Sequence, residues 1–127
     1  MARKDSKPTV DTLGDFLKDK SPYAIDLFDH FVAQLQRIGP VDVLPAKSMI
    51  GIATQRKRIL YVTQFGKGFI HVVFPFKHAH TDNLCFQKIA QVPGDVKQFN
   101  HHFRMLAKTD VNAEVKKFMR MAYEEGS

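Results

Sequence analysis

The spacing of apolar residues changes from helical to strand-like near Val41, and this change limits the folds that the chain can adopt. Between Ala24 and Ile38, apolar residues recur every three or four positions, which indicates an amphipathic helix that begins at Ser21-Pro22. After Gly39-Pro40, which ends this helix, β-branched and aromatic residues dominate segments that are separated by short polar turns. The predicted strands are residues 41–44, 48–54, 59–65 and 69–76.

The turn Gly66-Lys67-Gly68 decides which side chains of the two flanking strands share a face, because it can contain two or three loop residues. Three loop residues separate the apolar side chains from the polar ones better. They predict a core face made of Leu60, Val62, Ile70, Val72 and Phe74. The opposite face then carries Tyr61, Thr63, Phe65, Phe69 and His71.

The C-terminal third predicts further strands and a closing helix. Residues 84–92 fit a strand or a short helix, and we favour a strand that ends at the turn Pro93-Gly94-Asp95. Thr109 or Asp110 is expected to cap a final helix with Glu114 in its first turn. The side chains of residues 96–106 alternate, with Phe99, His101, Phe103 and Met105 on one face and Asn100, His102 and Arg104 on the other.

This order of elements predicts a two-layer α+β domain. Its sheet is expected to be a mostly antiparallel meander of about five or six strands, with N- and C-terminal helices packed on one face and the other face partly open. A chain of 127 residues can bury such a core without disulfide or metal support. Residues 1–20 are expected to form a flexible tail and a short, frayed helix, and residues 21–127 the single domain.

Composition limits the class of protein. The single cysteine excludes an internal disulfide framework and fits a reducing compartment. No segment approaches the roughly 20 apolar residues that cross a bilayer, and the first eight residues lack the apolar stretch of a secretory signal. We therefore expect a cytoplasmic protein that does not enter membranes.

Positive charge is concentrated in residues 43–81, which contain no Asp or Glu. The Lys and Arg residues of this block account for the whole net charge of +6, and such a local field attracts anions. Successive turns of a meander alternate between the two ends of the sheet, so the turn at 55–58 and the loop at 77–83 should lie together, with Lys67 at the other end. The predicted anion-binding residues are Lys47, Arg56, Lys57, Arg58, Lys77, His78 and His80. The alternative is a solvated hairpin tip.

The open face of the sheet is the second candidate site. Tyr61, His71, His102 and Arg104 are predicted to share it. Aromatic rings and cations on an exposed sheet resemble platforms that bind single-stranded nucleic acid. No ribonucleoprotein-type aromatic motif is present, so an ordinary solvent-exposed face is the interpretation that the sequence favours.

No motif indicates a catalytic residue, a cofactor or a metal ion. The histidine pairs His78/His80 and His101/His102 lack an evident third ligand. His101 is expected to be a core histidine whose nitrogens are hydrogen-bonded. Cys85 lies between Leu84 and Phe86, which predicts a buried, unreactive thiol.

Several short motifs within residues 25–123 carry a family resemblance. They are Ile38-Gly39-Pro40-Val41, Pro45-Ala46-Lys47-Ser48-Met49-Ile50, Arg56-Lys57-Arg58, His101-His102-Phe103-Arg104-Met105 before Asp110-Val111, and Arg120-Met121-Ala122-Tyr123. In these motifs the chain resembles a bacterial and archaeal family of small domains of unknown function, some of whose relatives are labelled predicted transport proteins. The resemblance implies recurrent positions at Lys47, Arg58 and His101 or His102 and an accessory binding role, but no activity, substrate or cofactor. Residues before Ser21 lie outside it.

Three functions remain open from the sequence. We favour a non-enzymatic module that binds an anionic partner, such as nucleic acid or another polyanion, through the basic turn and loop. The first alternative is a small-molecule site or an undetected enzymatic activity on the open face. The second is a structural or oligomerising module in which residues 69–76 form an edge contact.

Overall fold

The computed structural model of the chain describes residues 9–126, with side chains from residue 13 onward. The predicted tail at residues 1–8 lies outside this range, and the short helix predicted after it is present. The helices are α1 (Thr9–Leu17), α2 (Pro22–Gln36) and α3 (Ala113–Glu125). The strands are β1 (Asp42–Pro45), β2 (Ile50–Ala53), β3 (Arg58–Phe65), β4 (Ile70–Phe76), β5 (Lys88–Gln91) and β6 (Phe99–Met105), and a short 3₁₀ turn (Lys108–Asp110) precedes α3.

The sequence signals at the start of α2 act as expected. Ser21 is the N-cap, and its side-chain oxygen accepts a hydrogen bond of 3.0 Å from the amide of Ala24. Pro22 occupies the first helical position, where no backbone donor is needed. The buried stripe of α2 consists of Ala24, Leu27, Phe28, Phe31, Val32 and Leu35.

The strands form one antiparallel sheet in the order β1-β2-β3-β4-β6-β5, which confirms the two-layer α+β prediction. The meander is broken at its end, because β6 pairs with β4 and β5 lies outside β6 at the edge. The predicted turn at Pro93-Gly94-Asp95 is present between β5 and β6. The amide of Asp95 donates to the carbonyl of Val92 at 3.0 Å, and Gly94 has φ of +81°, which favours glycine.

β4 lies between β3 and β6, in the interior of the sheet. Both of its edges are therefore occupied by neighbouring strands of the same chain. The hypothesis that residues 69–76 form an edge contact with another copy is wrong for this reason.

The predicted core face of β3 and β4 is confirmed, since Leu60, Val62, Ile70, Val72 and Phe74 are all fully buried. Phe65 was expected on the opposite face and lies on the core side instead. The register of β3 against β4 shifts between Val62 and Gln64, and this bulge at Thr63 turns the following side chains over. The ring of Phe65 therefore packs against Phe16 of α1 at 5.8 Å and Phe28 of α2 at 5.5 Å.

The core lies between the sheet and helices α2 and α3, and it is rich in phenylalanine. Phe31 of α2 contacts Phe74 of β4 with ring centroids 6.3 Å apart, and Phe76 of β4 contacts Phe118 of α3 at 6.0 Å. The two helices thus cover the same face of the sheet. Met119, Val115 and Ala122 extend the buried stripe of α3.

Several predicted boundaries differ from the structure. Asn112 caps α3 rather than Thr109 or Asp110, and its side-chain oxygen accepts from the amide of Val115 at 3.0 Å. The carboxylate of Asp110 instead closes the preceding 3₁₀ turn by accepting from the amides of Leu106 and Ala107. Within residues 84–92 only Lys88–Gln91 is a strand, and β6 begins at Phe99 rather than at residue 96.

Two leucines provide a matched test of this core. Leu60 is fully buried on β3, whereas Leu84 is 97% exposed in the loop before β5. The substitution Leu60→Ala is expected to lower the free energy of unfolding by about 2–5 kcal/mol, because it leaves a cavity under the helices. Leu84→Ala should change it by less than about 0.5 kcal/mol. Urea unfolding followed by circular dichroism measures both, and equal effects would contradict the assignment of faces.

Candidate functional site

The uncovered face of the sheet carries cations but few acidic groups, since five of the six strands contain no carboxylate. β2, β3, β4, β5 and β6 together include no Asp or Glu. Three exposed cations lie on this face: Arg58 of β3, Lys88 of β5 and Arg104 of β6. The Arg58 side chain extends over Gly51, where a Cβ atom would come within 3.1 Å of it. Within the described part of the chain, Arg58, Lys88 and Arg104 form no ion pair, and the pairs Lys20–Asp19 and Lys108–Asp26 involve other residues.

Two imidazoles at the centre of this face are hydrogen-bonded to each other. Nε2 of His71 lies 2.8 Å from Nδ1 of His102, and the ring centroids are 5.1 Å apart. The β4–β6 register places His71 opposite Arg104, and the β5–β6 register places His102 opposite Lys88. Each ring therefore has a cation as its direct cross-strand neighbour. We call His71 and His102 the histidine pair.

The surroundings of the histidine pair disfavour its protonated form. Burial lowers the pKa of His71, and the positive charges of Arg104 and Lys88 lower it further. Burial also lowers the pKa of His102, followed by the effects of His71 and Lys88. These rings resist protonation as long as no negative charge lies near them.

Tyr61 and Arg104 complete the set of predicted open-face residues. Tyr61 lies in the same cross-strand row as His102, with Val73 between them. The guanidinium of Arg104 stacks over the ring of Phe69 at 4.3 Å, a contact that fixes its direction. A shallow cavity of about 240 Å³ opens beside Tyr61 and is lined by Met49, Thr63, Val73, Gln98 and Asn100. The structure thus brings Tyr61, His71, His102 and Arg104 onto one face.

The predicted turn-and-loop cluster is assembled only in part. The β2–β3 turn with Arg56 and Lys57 and the segment that begins at Lys77 lie at the same end of the sheet, as expected, and exposed His78 follows there. Lys47 lies in the β1–β2 turn at the opposite end, because consecutive turns alternate. Glu125 of α3 lines a cavity of about 170 Å³ together with Lys57 and Arg58, so a carboxylate moderates the positive charge there.

The ring of His80 points to the opposite side of the sheet from Arg58, so His80 does not join the predicted turn-and-loop cluster. Its ring contacts Phe76 at 4.9 Å and Phe118 at 5.5 Å, so it lies on the helix-covered side of the sheet. Arg58 lies on the uncovered side. The sequence alone does not place these two residues on opposite faces, because the loop after β4 is irregular.

His101 is a core histidine, as its flanking phenylalanines indicate. It is fully buried, and its Nδ1 lies 2.9 Å from the carbonyl oxygen of Phe99 and 3.2 Å from that of Phe74. Its Nε2 accepts a hydrogen bond of 3.0 Å from the amide of His80. This pattern requires a neutral ring with the proton on Nδ1, and burial lowers its pKa accordingly.

Cys85 has the environment of an unreactive thiol. Burial, assisted by the charge of Glu114 and a hydrogen bond to it, raises the pKa of Cys85 to about 12. Glu114 itself accepts hydrogen bonds from the amide of Leu84 and so anchors the loop to the start of α3.

A cavity of about 700 Å³ lies on the helix side, between α2 and α3. We call it the helix groove. Arg37, Lys116 and Arg120 line it together with Glu124, and Met119 forms part of its floor. The sequence did not reveal it, because its shape depends on how the two helices pack.

Neither a metal centre nor a membrane span is indicated by the described part of the chain. Within residues 9–126, no group of three or more His, Cys, Asp or Glu side chains is arranged to hold a metal ion. In the same range, no helix has the length and hydropathy required to cross a membrane.

Comparison of the chain with protein-family models, curated proteins and solved structures returned no match. The resemblance to a family of small domains therefore stays a prediction.

The buried histidine makes a testable contribution to the pH dependence of stability. Above the ordinary histidine pKa of about 6.5, His101 is neutral in both folded and unfolded chains. Below it, the unfolded chain binds more protons, so the free energy of unfolding falls as pH decreases, by at most about 1.4 kcal/mol per pH unit for one ring. The substitution His101→Gln should reduce this slope between about pH 7 and 5. Urea titrations at several pH values give the slopes, and identical slopes for wild type and His101→Gln would contradict this assignment.

The thiol of Cys85 is expected to react slowly. With a pKa of about 12, its thiolate fraction near pH 8 is orders of magnitude below that of a free thiol. Iodoacetamide labelling of the folded protein should be at least about 100-fold slower than labelling of the urea-unfolded chain. Mass spectrometry measures both rates, and comparable rates would show that Cys85 is accessible and ionised.

Proposed function

We propose that the protein is a non-enzymatic binding module for a polyanion, and that the uncovered face of the sheet is the binding surface. The observation that carries the proposal is the exclusion of carboxylates from β2 to β6 combined with Arg58, Lys88 and Arg104 on the uncovered face. Within the described part of the chain these three cations form no ion pair, and such a surface attracts anions and gains free energy when they neutralise it.

The spacing of the cations favours an extended ligand. Arg58 and Arg104 are two strands apart and differ by four to five residues along the strand direction. Strand geometry converts this offset into a separation of roughly 18 Å between their Cα atoms. A single phosphate group does not reach across this distance, whereas successive phosphates of a chain do.

Single-stranded nucleic acid is the polyanion that this face suits best. Tyr61 and the imidazoles of His71 and His102 offer partly exposed rings for base stacking between the cations. Arg56 and Lys57 in the β2–β3 turn continue the positive surface beyond Arg58, so part of the sequence-predicted cluster becomes its rim. A cytoplasmic location and membership of the family that the sequence resembles are parts of the same proposal.

The alternative of a small-molecule site on this face has weaker support. The cavity beside Tyr61 measures about 240 Å³ and is shallow. Sites for drug-sized ligands usually measure about 300–1,000 Å³.

Fluorescence anisotropy with labelled single-stranded RNA and DNA tests the proposal. Binding at about 50 mM salt should weaken by orders of magnitude at about 200 mM, because each phosphate contact releases counterions. A duplex of the same sequence should bind less tightly than the single strand, since its bases are not available to stack. Absence of binding at low salt would overturn the proposal.

Charge reversal locates the surface. Arg104→Glu and Arg58→Glu are each expected to weaken binding by about tenfold or more, equivalent to about 1.4 kcal/mol. Lys116→Glu makes the same change of charge in the helix groove and serves as the matched control. Its effect should stay within about threefold. If Lys116→Glu weakens binding as much as Arg104→Glu does, the uncovered face is not the site. Circular dichroism spectra of the variants confirm that they are folded.

A further inference from the structure

We propose that His71 and His102 form a phosphate-binding centre within the uncovered face, and that the pair takes up one proton when a phosphodiester binds. The inference rests on the proposed function, and it adds the group that the centre recognises and the protonation state in which it does so. Neither the basic turn nor the fold implies this behaviour.

The number of protons on the histidine pair sets how many hydrogen bonds its outer nitrogens can donate. Two neutral imidazoles carry two ring protons, and one of these lies in the 2.8 Å contact between Nε2 of His71 and Nδ1 of His102. The two outer nitrogens, Nδ1 of His71 and Nε2 of His102, therefore share a single proton. This count holds for either tautomer.

A third proton converts the pair into a donor of two hydrogen bonds. Both outer nitrogens then carry N–H groups, and the contact between the rings is kept as an imidazolium–imidazole hydrogen bond. A fourth proton would place two N–H groups against each other and break the contact. The pair is thus limited to one added proton, with a charge of +1 and two outward donors.

The outer nitrogens are available for a ligand. In the part of the chain with described side chains, neither makes a hydrogen bond to protein, and both rings are only partly buried. His101, by contrast, uses both of its nitrogens within the core. The histidine pair, unlike His101, can therefore donate a hydrogen bond to an oxygen atom of a ligand.

The groups that face the pair favour an anion at this position. Arg104 of β6 is the cross-strand neighbour of His71, and Lys88 of β5 is that of His102. From β3, Gln64 lies opposite His71, and Tyr61 lies in the row of His102 beyond Val73. None of these four neighbours is a carboxylate, so they attract a phosphate at the pair and repel a metal cation.

The same neighbours couple binding to protonation. Besides burial, the positive charges of Arg104 and Lys88 lower the pKa of His71, and the charge of Lys88 also lowers that of His102. A phosphate that pairs with these cations removes their repulsion and adds a negative charge. The pKa of the pair therefore rises on binding, and affinity must increase as pH falls through the range between the bound and free values.

The experiment is a pH series of anisotropy titrations with a short labelled oligothymidylate. Its phosphodiesters keep a constant charge between about pH 8 and 5.5, so any proton that is taken up on binding is bound by the protein. Affinity should increase towards low pH with a slope of at most tenfold per pH unit, the limit for one proton. Calorimetric titrations in two buffers with different ionisation enthalpies should show uptake of up to one proton. Circular dichroism at each pH checks that the protein is folded.

Variants distinguish this centre from a general gain of positive charge at low pH. His71→Gln and His102→Gln should each abolish most of the pH dependence, and each should also weaken binding near pH 8 because a ring available for base stacking is lost. His30→Gln on α2 is the matched control and should keep the wild-type slope. If His71→Gln and His102→Gln also keep that slope, or if no proton is taken up, the inference is wrong although the proposed function stands. Absence of oligonucleotide binding at every pH would instead remove the proposed function.

A second probe distinguishes the source of the phosphate. Inorganic phosphate is titrated as a competitor of the oligothymidylate. Displacement at millimolar concentrations in wild type, but not in His71→Gln, shows that the centre recognises a single phosphate group. Failure to displace at these concentrations, with the pH dependence intact, shows that the phosphate is recognised as part of a chain.

Discussion

The pairing of β4 with β6 is the constraint on which both the core and the candidate site depend. Its register sets Phe74 opposite His101 and Val72 opposite Phe103 on the helix-covered side, and His71 opposite Arg104 on the other. Side chains alternate along a strand, so a slip of β6 by one residue would bury His102 and Arg104 and expose Phe103. Burial of the aromatic face therefore stabilises the register and, through it, the positions of the cations.

The fold and the core could largely be predicted from the sequence because they depend on local patterns. The spacing from Ala24 to Ile38, the cap at Ser21 and the Pro93-Gly94 turn each correspond to a local structure that needs no distant partner. Phe65 could not be placed, because the bulge at Thr63 is set by the β3–β4 pairing. The edge position of β5 was also hidden, since an irregular loop leads to it and no pattern fixes where such a loop ends.

The sequence predicted which residues lie on the candidate site, but it did not predict their arrangement there. Alternation within β6 placed His102 and Arg104 on one face of that strand, and the three-residue β3–β4 turn placed Tyr61 and His71 together. All four were predicted to share the open face. Only the pairing of β4 with β6, strands that are not consecutive in the chain, brings the two histidines into contact. Lys88 was missed because its partner His102 is set by the β5–β6 register. Lys47 was misplaced because it was assigned to the cluster from its charge alone, without regard to the end of the sheet at which its turn lies.

The edge formed by β5 has a consequence for how the protein meets other chains. An exposed strand edge presents unpaired backbone groups on which another extended chain can pair. β5 is only four residues long, begins with Lys88 and is bordered by an irregular segment on one side and a tight turn on the other. Short length and a lysine are the features that prevent this kind of pairing. The sheet can therefore keep its uncovered face accessible to a ligand without growing by strand addition at this edge.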